Sequence, residues 1–334
     1  MKKFDSIEAL VGHTPLIKLL LKYRGEEMSV YAKAESYNFS GSIKDRVAFS
    51  ILKNAYESGK IDKSYTIAEA TSGNTGIAFS AIGGYLGNKV RIYMPDKMSV
   101  ERKKLVRGYG AEIIEVSEAQ GGFLGSIDMC EKYAKENEKV FLPRQFSNEE
   151  NVMAHYNLTA KEFVEQMDRI GENIDGFVSG IGTGGTLMGF ARRLKEVNPK
   201  ARIFPMEPAS STTLSNGTKG HHRIEGISDE FVPPIVDRST IDSEIITVDD
   251  GDAIIMAQML SKELGLGVGI SSGANVIASI KAKKLLGDSR ANIVTVFADD
   301  NKKYLSTDLT ASIEKKSEFL TNDIELIDFI AYRY

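Results

Sequence analysis

The stretch DGFVSGIGTGGTLMGFARRLKEVNPKARIFPMEP, residues 175–208, decides the reading of this chain. A short apolar run (DGFVSG) enters a turn rich in glycine and threonine. A helical pattern (GTLMGFARRLKEV) follows, and a second buried strand (ARIFPMEP) closes the unit. Strand, tight loop, helix and strand in that order form a parallel β-α-β crossover. The same alternation continues on both sides. SVYAKAE (29–35) reads as a strand and IKDRVAFSILKNAYESG (43–59) as a helix with Val47, Ile51 and Ala55 on one face. TIAEA (66–70), KVRIYMP (89–95), AEIIEVS (111–117) and ANIVTVFA (291–298) read as strands between helical segments. The expected fold is therefore α/β, doubly wound, with mostly parallel sheets flanked by helices.

At 334 residues the chain has room for about two domains. SNEENVMAHYNLTAKEFVEQM (147–167) is the best candidate crossing point between them. After about residue 310 charge and apolar residues alternate, which predicts one or two closing helices on a solvated, amphipathic terminus. Composition excludes several classes: 42% hydrophobic and 26% charged residues suit a soluble globular protein and not a disordered, collagenous or disulfide-built one. The net charge of −4 argues against a binder of nucleic-acid backbones. A single cysteine, Cys130, cannot form an internal disulfide, which fits a reducing compartment. MKKFDSIEAL carries two lysines with no apolar stretch behind them, so no secretory signal is expected. No apolar run is long enough to span a bilayer. The expectation is a cytoplasmic protein.

Four turns stand where open α/β sheets collect ligands, at strand C-termini. In SYNFSGSIKDR (36–46), Lys44 follows a Gly-Ser turn, and Ser42 with Asp45 suggests a capping box. Lys44 is either a surface lysine at an unfavourable helix end or an amine of lowered pKa able to form a Schiff base. In EATSGNTGIAFS (69–80), Thr71 to Gly76 supply amides and hydroxyls enough to grip a carboxylate, and Asn74 can hydrogen-bond a ring substituent. In 175–194, Gly182, Gly184 and Gly185 with Thr183 and Thr186 make a phosphate cradle by chemistry. Gly180, Gly182 and Gly185 also spell G-x-G-x-x-G with Glu207 downstream, the pattern of a dinucleotide site. In GVGISSGANVIAS (267–279), Ser271 and Ser272 either cap a helix or face a heterocyclic nitrogen.

Taken in order, these turns resemble the fold-type II pyridoxal-phosphate enzymes, and most closely the cysteine synthase (O-acetylserine sulfhydrylase) and cystathionine β-synthase family. The resemblance runs from VGHTPLIKL (11–19) to KKYLST (302–307). It includes TSGNTGIA, MPDKMSVERKKLVRGYGAE, Gln145-Phe146-Ser147, GTGGTLMG, Glu207-Pro208, HRIEGI (222–227) and GISSGA. It implies pyridoxal 5'-phosphate as cofactor, a homodimer, a small amino-acid substrate and no metal. Lys44 resembles the lysine that holds the cofactor as an internal aldimine and then serves as base. Gly182, Thr183, Gly184, Gly185 and Thr186 resemble the phosphate loop, Asn74 the partner of the ring hydroxyl, and Ser271 that of the ring nitrogen. Thr71, Ser72, Gly73 and Thr75, with Gln145, resemble the pocket for the substrate carboxylate. The implied domains are 40–150 (smaller, mobile, carrying the substrate loop), 1–39 plus 151–310 (larger, binding the phosphate) and a helical tail, 311–334.

The implied reaction is β-replacement through an aminoacrylate, with O-acetyl-L-serine and sulfide giving L-cysteine and acetate. Alternatives are release of sulfide from cysteine with serine or lanthionine as product, a minimal cystathionine β-synthase activity, a nicotinamide-dependent dehydrogenase on the 180–185 glycines, and a silent binding protein. Three departures from the family pattern bear on this choice: Phe39 before the Gly-Ser turn, Asp229-Glu230 where relatives are often uncharged, and Asp299-Asp300-Asn301 near the cofactor ring. Asp229 is a solvated charge, a loop salt bridge, or a general base for water.

Overall fold

The computed structural model describes residues 2–229 and 231–334; Glu230 of the acidic pair lies outside the described residues. Among the described residues eleven strands occur in chain order: β1 Leu16–Tyr23, β2 Glu26–Ala34, β3 Thr66–Ala70, β4 Lys89–Pro95, β5 Glu112–Val116, β6 Val140–Phe141, β7 Gly176–Gly180, β8 Arg202–Pro208, β9 Ile246–Val248, β10 Ile293–Phe297 and β11 Ile324–Tyr332. They form a seven-stranded sheet, β11-β1-β2-β10-β7-β8-β9, and a four-stranded sheet, β5-β4-β3-β6. Every pairing in the smaller sheet is parallel, as are those from β2 through β10, β7 and β8 to β9. The β2-β1-β11 edge is antiparallel. The chain leaves the larger sheet after β2 and re-enters it at β7.

The parallel strands are apolar on both faces because helices cover both. β10 is buried along all five residues, and Ile203, Phe204 and Met206 of β8 are buried between helices. The helices Asp250–Leu264 and Ile270–Leu286 pack on one face of the larger sheet, while Gly185–Val197 and Ala160–Arg169 bury Phe190, Leu194 and Phe163 on the other. In the smaller sheet, Asn74–Leu86 and Lys44–Glu57 cover β3 and β4 through Ile77, Ile82, Val47 and Leu52.

The C-terminal segment corrects the expectation of closing helices. It makes short 3₁₀ turns and then β11, antiparallel to β1 with Leu326 opposite Leu21 and Ile324 opposite Tyr23. Ile324 and Leu326 are buried, whereas Glu325 and Ile327 point outward. The charge-apolar alternation there has the period of a strand, and the open edge of β1 supplies its partner.

Residues 147–167 are interrupted. Helix Glu149–Ala154 passes through a π-helical turn, His155–Thr159, into helix Ala160–Arg169. Such turns widen the helix locally and often mark functional positions.

Candidate active site

Lys44 is the first residue of helix Lys44–Glu57. The turn before it is tied to the larger sheet: Ile43 N–H donates to the Ala298 carbonyl at 2.9 Å. Ile43 rather than Ser42 takes the N-cap position, so the expected capping box is not formed; side-chain bonds still brace the turn, with Lys44 N–H donating to Ser42 Oγ at 3.2 Å and Ser42 N–H to Asp45 Oδ2 at 3.3 Å. Asp45 also accepts from Ser40 N–H at 2.8 Å. Burial pushes the Lys44 amine down to about 8, and the Asp229 carboxylate acts in the opposite direction. At neutral pH the free-base fraction of such an amine exceeds that of an ordinary lysine by about 10²-fold. Trace acetic anhydride at pH 7.5 should therefore label Lys44 of the cofactor-free protein far ahead of Lys2 or Lys132. Peptide mapping reads the rates, and labelling no faster than at those surface lysines would contradict the depressed amine.

A cavity of about 40 Å³ brings Lys44 together with Thr71, Ser72, Gly73, Asn74, Thr75, Gln145, Gly182, Thr183 and Asp229. Thr71, Ser72 and Gly73 occupy the turn between β3 and helix Asn74–Leu86, and Asn74 and Thr75 open that helix. Thr71 Oγ1 accepts from Gly73 N–H at 3.0 Å, which tightens that turn. Gln145 connects it to the rest of the site. Its Oε1 accepts from Thr75 Oγ1 at 2.6 Å, and its Nε2 donates to the Ala70 carbonyl at 2.8 Å. Glu69, whose carboxyl burial pushes up to about 8, accepts from Gln145 N–H at 3.2 Å. Asn151 Nδ2 then donates to the Gln145 carbonyl at 2.7 Å and to Thr183 Oγ1 at 2.9 Å. One side chain thus joins the two loops.

The second loop runs from β7 into helix Gly185–Val197. Gly184 has φ 87°, a left-handed backbone that suits glycine. A Cβ on Gly182 would lie 2.5 Å from the Gly226 carbonyl oxygen, so only glycine fits where the two backbones meet. Thr186 Oγ1 lies 3.3 Å from His155 Nε2, and His155 Nδ1 lies 2.9 Å from Thr159 Oγ1. Burial holds this imidazole well below its ordinary value, with the Lys44 and Arg46 charges adding to the effect. The amides at this helix start, with the helix dipole, form an anion cradle.

A second cavity of about 60 Å³ continues from Lys44 and Asn74 past Thr183, Gly184 and Thr186 to Ser271. The two adjacent serines separate here. Ser272 Oγ accepts from Ala298 N–H at 3.1 Å and is structural, whereas Ser271 lines the cavity. Asp299 is buried beside them. Its Oδ2 accepts from Asn74 Nδ2 at 2.8 Å and from the Tyr304 hydroxyl at 2.7 Å. Asn74 Oδ1 and Asn151 Oδ1 are buried without a hydrogen-bond partner. A helix-start anion cradle facing the Lys44 amine, with the unpartnered Asn74 Oδ1 able to accept from a ring hydroxyl, suits a phosphorylated, hydroxyl-bearing ring aldehyde, so these residues fit pyridoxal phosphate.

Glu207 corrects the dinucleotide pattern. It is buried, and its carboxylate accepts from Leu214 N–H at 2.8 Å and Ser215 N–H at 3.2 Å, capping a short turn of helix. Nothing of it is left for a ribose. Asn151, His155 and Tyr304 carried no local signal, and Asp299 stood out only as a departure from the family pattern; the contacts that bring them to the site depend on the packed chain.

A lysine amine set against a glycine-threonine anion cradle, between two α/β sheets, defines the class of fold-type II pyridoxal-phosphate enzymes. The chain belongs to the pyridoxal-phosphate dependent enzyme family, whose profile matches residues 7–299. It is 43% identical to cysteine synthase B of Campylobacter jejuni over 311 residues, covering 93% of this chain and 100% of that one. It superposes on a hydrogen sulfide-producing enzyme from Fusobacterium nucleatum with TM-score 0.96 at 54% identity, covering 100% of this chain and 99% of that one. A further structure of a hydrogen sulfide-producing enzyme, an Asp-to-Asn variant in complex with an α-aminoacrylate intermediate, matches with TM-score 0.97 at 53% identity over 100% of both chains. The protein is a pyridoxal-phosphate dependent β-replacing enzyme, which overturns the dehydrogenase alternative. Among the described residues no helix is long and apolar enough to cross a membrane.

Proposed function

We propose that the enzyme exchanges the β-substituent of an L-alanine derivative, converting O-acetyl-L-serine and sulfide to L-cysteine and acetate. The observation that carries this reading is the single cavity shared by Lys44, the Thr71–Thr75 loop, Gln145 and Gly182–Thr183. Similarity to cysteine synthases supports it. Pyridoxal phosphate, when bound, withdraws electrons from the substrate α-carbon, so that the α-proton becomes acidic and the β-substituent leaves. Gly182 to Thr186 would hold the phosphate through loop amides and hydroxyls. Asn74 would meet the ring hydroxyl and Ser271 the ring nitrogen; a neutral serine would not hold that nitrogen protonated, which would favour elimination over transamination. Thr71, Ser72, Gly73, Thr75 and Gln145 hold the substrate carboxylate. Lys44, with its lowered pKa, takes the α-proton.

Asp229 favours a second use of the same site. It lines the cavity with Lys44, and the similar chains of known structure include hydrogen sulfide-producing enzymes. In this use cysteine loses sulfide, and water replaces it at the β-carbon. Asp229 takes a proton from that water, which gives serine and hydrogen sulfide. Asp229→Asn should lower sulfide release from cysteine by about 10²-fold or more, the range of general-base work. Sulfide and serine are quantified from cysteine alone, beside cysteine formation from O-acetylserine and sulfide. An equal loss in both assays would remove the base role, and failure to form cysteine in the parent enzyme would remove the synthase reading.

Residues 40–150 are proposed as a smaller domain that closes on the larger one, 1–39 with 151–310, when a substrate carboxylate binds. The separate four-stranded sheet supports that division. Family resemblance supports a homodimer, and the single buried cysteine suits a cytoplasmic protein.

A further inference from the structure

Ser228 precedes Asp229 and has φ 53°, the left-handed region that a residue bearing a Cβ adopts only at a cost. Hydrogen bonds hold it there. Its N–H donates to the Ile181 carbonyl at 2.6 Å, and its Oγ donates to the Ser211 carbonyl at 3.0 Å. Its own carbonyl, the one joined to Asp229, lies 3.1 Å from His222 Nε2 and accepts a hydrogen bond from it. The first two bonds anchor the incoming side of Ser228. The bond from His222 holds the peptide plane that leads into Asp229, and rotation of that plane re-aims the Asp229 side chain.

His222 is suited to this task and to little else in the site. It lines the 520 Å³ entrance cavity, which reaches Ser72 and Asp229, yet it is absent from the lining of the inner cavities. Burial lowers its pKa; the Ser228 carbonyl, Asp250 and Glu225 oppose this and His221 adds to it. The neutral ring therefore carries its one proton on Nε2, where the Ser228 carbonyl accepts it. Nδ1 is buried with no hydrogen-bond partner.

We propose that His222 is a positioning residue for the water-activating step: its Nε2–H locks the Ser228 carbonyl and so aims the Asp229 carboxylate into the cleft that Lys44 faces. This rests on the reading of Asp229 as the base for water.

The test is a double-mutant cycle on the cofactor-loaded enzyme, read as sulfide release from cysteine. His222→Leu removes the donor; His222→Gln keeps an N–H at similar reach. His222→Leu should lower sulfide release by about 10-fold in the parent and by less than about 2-fold in the Asp229→Asn background, because a lost aim costs nothing once the base is gone. His222→Gln should restore most of the parent rate. The same fold loss in both backgrounds, or no rescue by glutamine, would assign His222 a general structural role and overturn the inference alone. Parent-level sulfide release in Asp229→Asn by itself would overturn the base reading and this inference with it.

Discussion

Lys44→Ala should lower β-replacement turnover by about 10⁴-fold or more, the largest effect expected of any single substitution here. General-base work contributes about 10²–10⁴-fold, and this variant also loses the amine that tethers the cofactor. Both roles depend on an amine pushed down to about 8 by burial. The stem of the residue matters less, because helix Lys44–Glu57 is anchored by Ile43, Val47 and Leu52 rather than by Lys44. The variant should fold, and its circular dichroism should match the parent's. Turnover is measured for O-acetylserine with sulfide and for cysteine alone. In the parent, borohydride should fix the cofactor on Lys44, as read by peptide mapping. Normal turnover in Lys44→Ala, or a reduced adduct on another lysine, would remove Lys44 from the chemistry.

Arg46→Met should destabilise the protein by about 3–5 kcal/mol, the cost of leaving a buried charge network without its centre. Arg46 is fully buried two residues after Lys44. It makes bidentate contacts with two carboxylates: Nε and Nη2 donate to Glu35 at 2.6 and 2.8 Å, and Nη1 and Nη2 to Glu162 at 2.7 and 2.9 Å. Lys33, also buried, lies 2.9 Å from Glu162. Removal of Arg46 leaves Glu35 and Glu162 with one lysine between them in a dry interior. Burial alone would raise the Glu162 pKa, but the Arg46 hydrogen bonds and charge, with Lys33, outweigh it and bring it down to about 2. A carboxylate depressed in the folded state stabilises the fold above its ordinary range, and that contribution fades as pH falls toward 2. Urea unfolding at pH 7 should show the full loss in Arg46→Met, and the gap to the parent should narrow as pH falls below about 4.5. A gap under about 1 kcal/mol at pH 7, or one that widens in acid, would contradict this account of the network.

These two residues are neighbours in the chain but differ in how legible they were. Lys44 follows a Gly-Ser turn at a helix start, a local signal. Nothing local distinguishes Arg46 from a solvated helix charge, because its partners lie 11 and 116 positions away. The serine pair shows the same divide. Either serine suits a ring nitrogen by type, and only the packing of β10 against helix Ile270–Leu286 gives Ser272 to the Ala298 amide and leaves Ser271 to the cavity. Glu207 stands at the spacing a ribose-binding acid needs, and the chain folding back at residues 214–215 takes its carboxylate instead.

By itself the sequence determined the alternation of strands and helices, the glycine-threonine loop at 182–186, the lysine after its turn and, through the motifs in their order, the family. Each of these is a local pattern written in periodicity and turn chemistry, which a linear reading can follow. Tertiary structure alone decided that Ile324–Tyr332 is a strand, since an alternating segment takes the geometry of whatever edge it meets, and β1 offered an antiparallel one. It also decided that Asn151 joins Gln145 to Thr183, that Asp299 holds Asn74, and that His222 grips the peptide before Asp229. Those pairings follow from hydrogen-bond donors and acceptors that had to be satisfied once burial removed water, and burial is a property of the packed chain rather than of any segment in it.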